Sequence, residues 1–409
     1  MSAHPQTEVL SRGYVPEWSE GAVIPPVFRT STFVFKNAEQ GKAAFEIAYG
    51  LRKANEGEVP ALIYSRVANP NAEIFESKVT VWDPKAEDAV LMSSGMGAIS
   101  TTCLTFLRPG DHIVFSDPVY GGTELFMRSI LPSFQIPSHP FHAGSSEEEI
   151  EAAVAKCEGK CKVIYVETPA NPTITVTDLK AASRVAKKHN CLLIVDNTFC
   201  GPLFCQPHQF GADVVVYSAT KFIGGHSDVV AGVATGSKEL MGKIKTMRTV
   251  LGSINEADTA WLLTRSLSTL ELRMRAACAN AGKIVEFLLK HPAVETVYYP
   301  GCTTMGEEQI RIFKEQYSGA GSNVTFLVKG GEKESFTVLN NLHHFKLAVS
   351  LGGVESLIQH PSSMTHSDMT PEEKKNAGIT ENMIRASIGI ENIDDLIADL
   401  KGALDLLLL

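Results

Sequence analysis

The chain has 409 residues, a formal net charge of −9, 44% hydrophobic and 20% charged residues. These are ordinary values for a globular chain, and the length suffices for two or three domains around a large core. An acidic balance without a basic block argues against nucleic-acid binding, and the Leu406 to Leu409 run is too short to span a bilayer.

Residues 1–63 show no sustained period and contain Pro25-Pro26 and a Lys/Glu/Gly-rich stretch from Arg52 to Glu58. They read as an extended arm with one helix near Ala38 to Leu51, lying across a second subunit. The polar opening from Met1 to Gly21 has no apolar segment of the kind a signal peptide needs. From Glu73 the pattern becomes α/β. Strands are expected at Ala89–Met92, His112–Phe115, Val163–Val166, Leu192–Val195 and Val214–Tyr217, with helices at Ala98–Leu107, from Ser146 to Cys157 and at Asp178–His189. Ser146 and Glu149 have the spacing of a capping box. Such alternation implies a mostly parallel sheet covered by helices. A long helical stretch from Glu256 to about Leu289 leads into a last domain with a strand at Val324–Val328 and helices at Phe336–Asn341 and Ile393–Leu407. The expected division is an arm at 1–63, a large domain at 64–265 and an α+β domain at 266–409.

Eight cysteines are scattered, with no Cys-x-x-Cys pair. Cys157 and Cys161 are separated by a Glu-Gly-Lys that suggests a helix end and not a metal clip. The cysteines read as small core residues in a reducing, cytoplasmic compartment, and no metal is expected.

The chemistry concentrates at Lys221. The run from Asp213 to Asp228 reads Asp-Val-Val-Val-Tyr-Ser-Ala-Thr-Lys-Phe-Ile-Gly-Gly-His-Ser-Asp. Val214 to Val216 form a buried strand. A lysine just past it is costly unless it works. A desolvated lysine amine can form a Schiff base with an aldehyde, and the hydroxyls of Ser218 and Thr220 can hold a phosphate. Pyridoxal 5'-phosphate has both groups. Earlier in the chain, Ser93 to Ala98 follow a strand and open a helix, a ready phosphate cradle. Asp196 closes the strand Leu193-Ile-Val-Asp, where ligands sit in parallel α/β sheets.

The Lys221 run resembles the lysine signature of the Cys/Met-metabolism family of pyridoxal-phosphate enzymes, which includes cystathionine γ-synthases, cystathionine lyases, methionine γ-lyases and O-acetylhomoserine sulfhydrylases. The matching residues are Asp213, Ser218, Thr220, Lys221, Gly225, His226 and Ser227, and further matches run from about Tyr64 to Arg385. The resemblance implies the fold type I, aspartate aminotransferase-like architecture: a central, mostly parallel sheet with helices on both faces and a smaller C-terminal α+β domain. It implies Lys221 as the catalytic lysine. Gly95, Met96, Ser218 and Thr220 would donate to the cofactor phosphate. Tyr120 would stack on the pyridine ring and move a proton near the leaving group. Asp196 would face the pyridine nitrogen, and Asn171 the ring hydroxyl. Tyr64 and Arg66 would reach the neighbouring subunit's phosphate site, Tyr64 also as a catalytic residue there, giving composite sites in a homotetramer built as a dimer of dimers. Arg385 would take the substrate carboxylate, with Ser350, Val349 and Thr365 nearby.

The same residues serve lyase and synthase chemistry. Cystathionine-acting members typically carry a glutamate where this chain has Val349, which suits an uncharged thioether. Methionine γ-lyases typically carry a cysteine where this chain has Gly122, and they are shorter before Tyr64 than the Gly50 to Pro60 stretch here. The reading leans to α,γ-elimination on a methionine-like sulfur amino acid, giving 2-oxobutyrate, ammonia and a thiol. γ-Replacement on an activated homoserine is the alternative. An aminotransferase or desulfurase on the same scaffold, and an inactive scaffold protein, are weaker readings. No exposed cysteine loop stands out, and Lys221, Asp196, Tyr120, Arg66 and Arg385 are all present.

Overall fold

A computed structural model describes residues 3–409; Met1 and Ser2, the first residues of the arm, lie outside the described residues. Two sheets organise the rest. The first has seven strands: β1 (Asp88–Met92), β2 (His112–Asp117), β3 (Ser138–His142), β4 (Cys161–Glu167), β5 (Leu192–Asp196), β6 (Val214–Tyr217) and β7 (Gly232–Gly236), in the order β1-β7-β6-β5-β4-β2-β3. Strands β6, β5, β4, β2 and β3 are mutually parallel, and β7 runs antiparallel to both β1 and β6. The five expected strands are all present. Two were not anticipated. β3, Ser-His-Pro-Phe-His, contains Pro140; it is an edge strand, where a missing amide is tolerated. β7, Gly-Val-Ala-Thr-Gly, is too glycine-rich to read as a strand, yet all five residues are buried.

The central strands are apolar throughout because both faces are covered. Along β6, Val214 and Val216 enter one core while Val215 and Tyr217 enter the other. Helices supply the covers. Ser146 caps Glu147–Ala155 with the expected reciprocal box: its amide reaches Glu149 Oε2 at 2.8 Å. The helix Leu179–Lys188 buries Leu179, Ala182, Val185 and Ala186.

The helical stretch expected from Glu256 to about Leu289 consists of two helices, Ala257–Leu267 and Leu270–Leu288, separated by Ser268 and Thr269. Buried Arg273 fills the break and takes the Ser266 carbonyl at 2.8 Å and the Phe222 carbonyl at 2.8 Å. The second sheet contains β8 (Val294–Tyr298), β9 (Asn323–Val328), β10 (Lys346–Leu347), β11 (Leu357–Gln359) and β12 (Met383–Ser387), ordered β10-β11-β12-β9-β8. Its core contains Val324, Phe326, Ile384 and Leu400, with the terminal helix Ile393–Asp405 packed against it. The arm is partly helical, with Pro5–Ser11 and Ala38–Ala48, and it exposes Trp18, Val23 and Val34.

Candidate active site

A cavity of about 350 Å³ opens where the C-terminal ends of β4, β5 and β6 meet the helix Gly95–Phe106 and the segments around Ser350 and Arg385. Its walls include Gly95, Met96, Tyr120, Asn171, Asp196, Ser218, Thr220, Lys221, Val349, Ser350, Thr365 and Arg385, twelve of the fourteen residues singled out in the sequence. The other two, Tyr64 and Arg66, lie outside this chain's cavity. Tyr64 is exposed and bridges to Thr32, and Arg66 Nη1 donates to the Thr249 carbonyl at 3.0 Å.

Lys221 lies within the turn that follows β6. Its Nζ donates to Ser350 Oγ at 2.7 Å. No carboxylate pairs with it among the described residues. Burial, reinforced by the nearby Arg385 charge, brings its pKa down to about 8. Near neutral pH a minority of the amine is therefore neutral and nucleophilic, far more than for a solvated lysine. Ser350 holds a left-handed backbone with φ of 109°, a strained conformation for a residue with a side chain. Its carbonyl in turn accepts from Arg385 Nη2 at 3.1 Å.

Arg385 is buried in β12. Asn171 Oδ1 accepts from its Nη1 at 2.7 Å. With the Gln359 amide oxygen turned toward it, that oxygen accepts from both Nη atoms at 3.2 and 3.0 Å. Burial pulls the guanidinium pKa down to about 10, and Glu167 opposes the shift. A planar fork held by neutral acceptors and lacking a salt-bridge partner is prepared for a carboxylate from outside.

Asp196 sits at the end of β5. Thr198 donates to its Oδ1 through Oγ1 at 2.6 Å and through its amide at 3.0 Å, and Tyr165 donates to Oδ2 at 3.2 Å. Burial raises its pKa. Glu167, its register partner on β4, is pushed up to about 8 by burial and by Asp196. Glu167 accepts the Tyr120 amide at 2.9 Å and the Asn171 amide at 3.1 Å. It thus fixes the segment that presents Tyr120 and the residue that holds Arg385. The sequence reading missed Glu167 and Thr198. Two carboxylates ending consecutive strands was the signal available for Glu167.

The helix Gly95–Phe106 begins one turn earlier than expected. Ser94 caps it by accepting the Gly97 amide at 2.9 Å. The Gly95 and Met96 amides have no acceptor within the helix, as at any helix start. A Cβ on Gly95 would fall 2.8 Å from Ser218 Cβ, so glycine is what lets the helix start and the segment after β6 close on one another. Thr220 departs from expectation in one respect. Its hydroxyl bonds the Ala231 backbone, accepting at 3.0 Å and donating at 3.1 Å, so it must turn to donate to a phosphate.

Residues 6–405 match the family described as Cys/Met metabolism PLP-dependent enzyme. The chain belongs to that family. Its cofactor is pyridoxal 5'-phosphate. Among relatives, it is 42% identical to the L-methionine gamma-lyase of Fusobacterium nucleatum subsp. polymorphum over 94% of each chain. It is 41% identical to the cystathionine gamma-lyase of Bacillus subtilis (strain 168) over 98% of this chain and 99% of the other. The structure of cystathionine gamma synthase from Xanthomonas oryzae pv. oryzae superposes with a TM-score of 0.88 at 33% identity, covering 99% and 98% of the two chains. The fold is the one the family resemblance implies.

The family cofactor fits the residues present. A buried carboxylate at Asp196 is costly alone and is relieved by a protonated ring nitrogen. The free helix-start amides beside Ser218 suit a phosphate, and Lys221 has no competing acid. Among the described residues, no helix is long and apolar enough to cross a membrane.

Proposed function

We propose that this enzyme is a carbon–sulfur lyase that cleaves methionine-like substrates by α,γ-elimination, converting methionine and water to 2-oxobutyrate, ammonia and methanethiol. The observation that carries the reading is the uncharged wall beside Ser350. Val349 lines the cavity and is 56% exposed. The acidic residues lining the cavity, Glu167 and Asp196, are both buried in its floor. A distal ammonium group, as cystathionine has, would find no partner at Val349, whereas a methylthioether would.

The bound cofactor supplies an electron sink for negative charge developing at the substrate Cα. The protein supplies the rest. Arg385 grips the carboxylate and fixes Cα over the Lys221 amine. Lys221 Nζ, tuned to about 8, removes the Cα proton and then serves Cβ, its pKa near the operating pH as general acid–base catalysis favours. Asp196 holds a proton on the ring nitrogen. Tyr120, half-exposed at the cavity mouth, reaches the departing sulfur with its hydroxyl.

γ-Replacement is the second reading, and Gly122 favours it. A Cβ there would fall 2.7 Å from Tyr120 Cε1, so the tyrosine ring stands where the cysteine typical of methionine γ-lyases would press. Purified enzyme with pyridoxal phosphate separates the two. It is offered L-methionine, L-cystathionine, or O-acetyl-L-homoserine with a thiol, each alone. 2-Oxobutyrate with methanethiol from methionine is the expected result. A new thioether formed only from the homoserine ester and thiol would replace the lyase reading with a synthase.

The reading extends to a cytoplasmic homotetramer in which Tyr64 and Arg66 complete the partner's phosphate site. The support is that both lie off their own cavity while the arm exposes large apolar side chains. Lys221→Ala and Arg66→Ala chains, each inactive alone, should regain turnover when unfolded and refolded together, because one site per hybrid pair is intact. No recovery would place Arg66 in its own chain's function.

A further inference from the structure

At the far edge of the large sheet, three side chains from separate segments converge. His112 opens β2, His139 lies in edge strand β3, and Cys157 follows the helix Glu147–Ala155. The three ligand atoms all lie within 4.8 Å of one another. Spacing argues against a clip made of Cys157 and Cys161, but β2 and β3 pair in parallel and set the two imidazoles side by side. His112 Nδ1 and His139 Nε2 are 3.0 Å apart, and the rings stack with centroids at 5.1 Å. Two imidazole nitrogens bound to one tetrahedral zinc at about 2.0–2.1 Å stand about 3.3 Å apart, so the pair needs little adjustment to receive an ion.

The surroundings favour an ion over an isolated histidine pair. Cys157 is buried while both histidines are half-exposed, which gives one anchored ligand and an entry path from solvent. The Cys161 thiol lies next to those of Cys157 and Cys191, so the base of the site is sulfur-rich. Imidazole with thiolate selects zinc-class ions over magnesium or calcium.

We propose that His112, His139 and Cys157 bind one zinc-class divalent ion per chain, with a fourth position open to water. On binding, the Cys157 thiol releases its proton to solvent. The ring that donates the histidine–histidine hydrogen bond takes its proton on its other nitrogen instead. Both facing nitrogens then carry free lone pairs. The site is not part of the reaction centre. β4 has seven residues from Cys161 at this edge to Glu167 in the cavity floor, a separation of about 20 Å. The ion would act as a clamp on β2, β3 and the end of the preceding helix.

The test uses holoenzyme kept reduced with a phosphine, equilibrated with zinc and desalted. Atomic emission should give one zinc per chain. X-ray absorption at the zinc edge should show one sulfur at about 2.3 Å with nitrogen at about 2.0–2.1 Å. Cys157→Ser and His139→Gln should each weaken retention by about tenfold or more, with the cofactor's visible band unchanged to report folding. Cys278→Ser, elsewhere in the chain, should retain zinc. If one variant misfolds, His112→Gln takes its place. No retained zinc, an oxygen-only shell, or equal retention in the Cys157 and His139 variants would overturn the proposal.

Discussion

Lys221→Ala is expected to lower turnover by about three orders of magnitude or more and to abolish the visible absorption of lysine-bound cofactor. The size follows from how many tasks converge on one atom. On the proposed reading, Nζ takes the cofactor aldehyde. In that reading it is also the base for the substrate Cα, and among the described residues no other lysine lines the cavity. Its pKa of about 8 follows first from burial and then from Arg385. A shift in that direction favours the neutral amine, so the base form grows as pH rises through 8 and shrinks below it. The alanine variant should still bind the cofactor non-covalently, because Asp196 and the start of the helix Gly95–Phe106 are untouched. Fluorescence titration with pyridoxal phosphate checks that binding. Turnover surviving in the variant would mean that another amine does the work.

Arg385→Lys should leave the cofactor band in place yet reduce kcat/KM by about 10²–10³-fold, chiefly through KM. Breaking a buried charged contact costs about 3–5 kcal/mol, and part of that is recovered because lysine keeps the charge. What lysine lacks is the fork. Asn171 Oδ1, the Ser350 carbonyl and Gln359 fix the guanidinium plane, and a single ammonium cannot satisfy them and a substrate carboxylate at once. Steady-state kinetics on the preferred substrate measures the effect. An unchanged KM would mean that the carboxylate is bound elsewhere.

The part of the cavity wall built after β6 and at the helix start was legible because its pieces are contiguous in the chain. Ser218, Thr220 and Lys221 follow one strand, and Gly95 and Met96 open one helix, so strand-end and helix-start chemistry can be read without knowing the fold. Glu167 was not legible in the same way. Its importance comes from lateral register with Asp196 and from amides at Tyr120 and Asn171, none of which leaves a local pattern. The family resemblance supplied Arg385, Ser350 and Thr365, which no spacing argument would join to Lys221. Among the elements, apolar strands buried on both faces were plain. β3 and β7 were hidden by proline and glycine, and the break at Thr269 was hidden because Leu270 continues the helical pattern with no proline or glycine to mark a stop.

Ser350 has a consequence beyond its own contacts. Its hydroxyl receives Lys221, which belongs to the large sheet's turn, while its carbonyl receives Arg385, which belongs to the small sheet. On the proposed roles, the tool that does the chemistry and the gauge that locates the substrate are therefore referenced to one residue. If the two sheets shift against each other, both references travel through the same peptide, and the error between them is held to what one constrained φ/ψ pair allows.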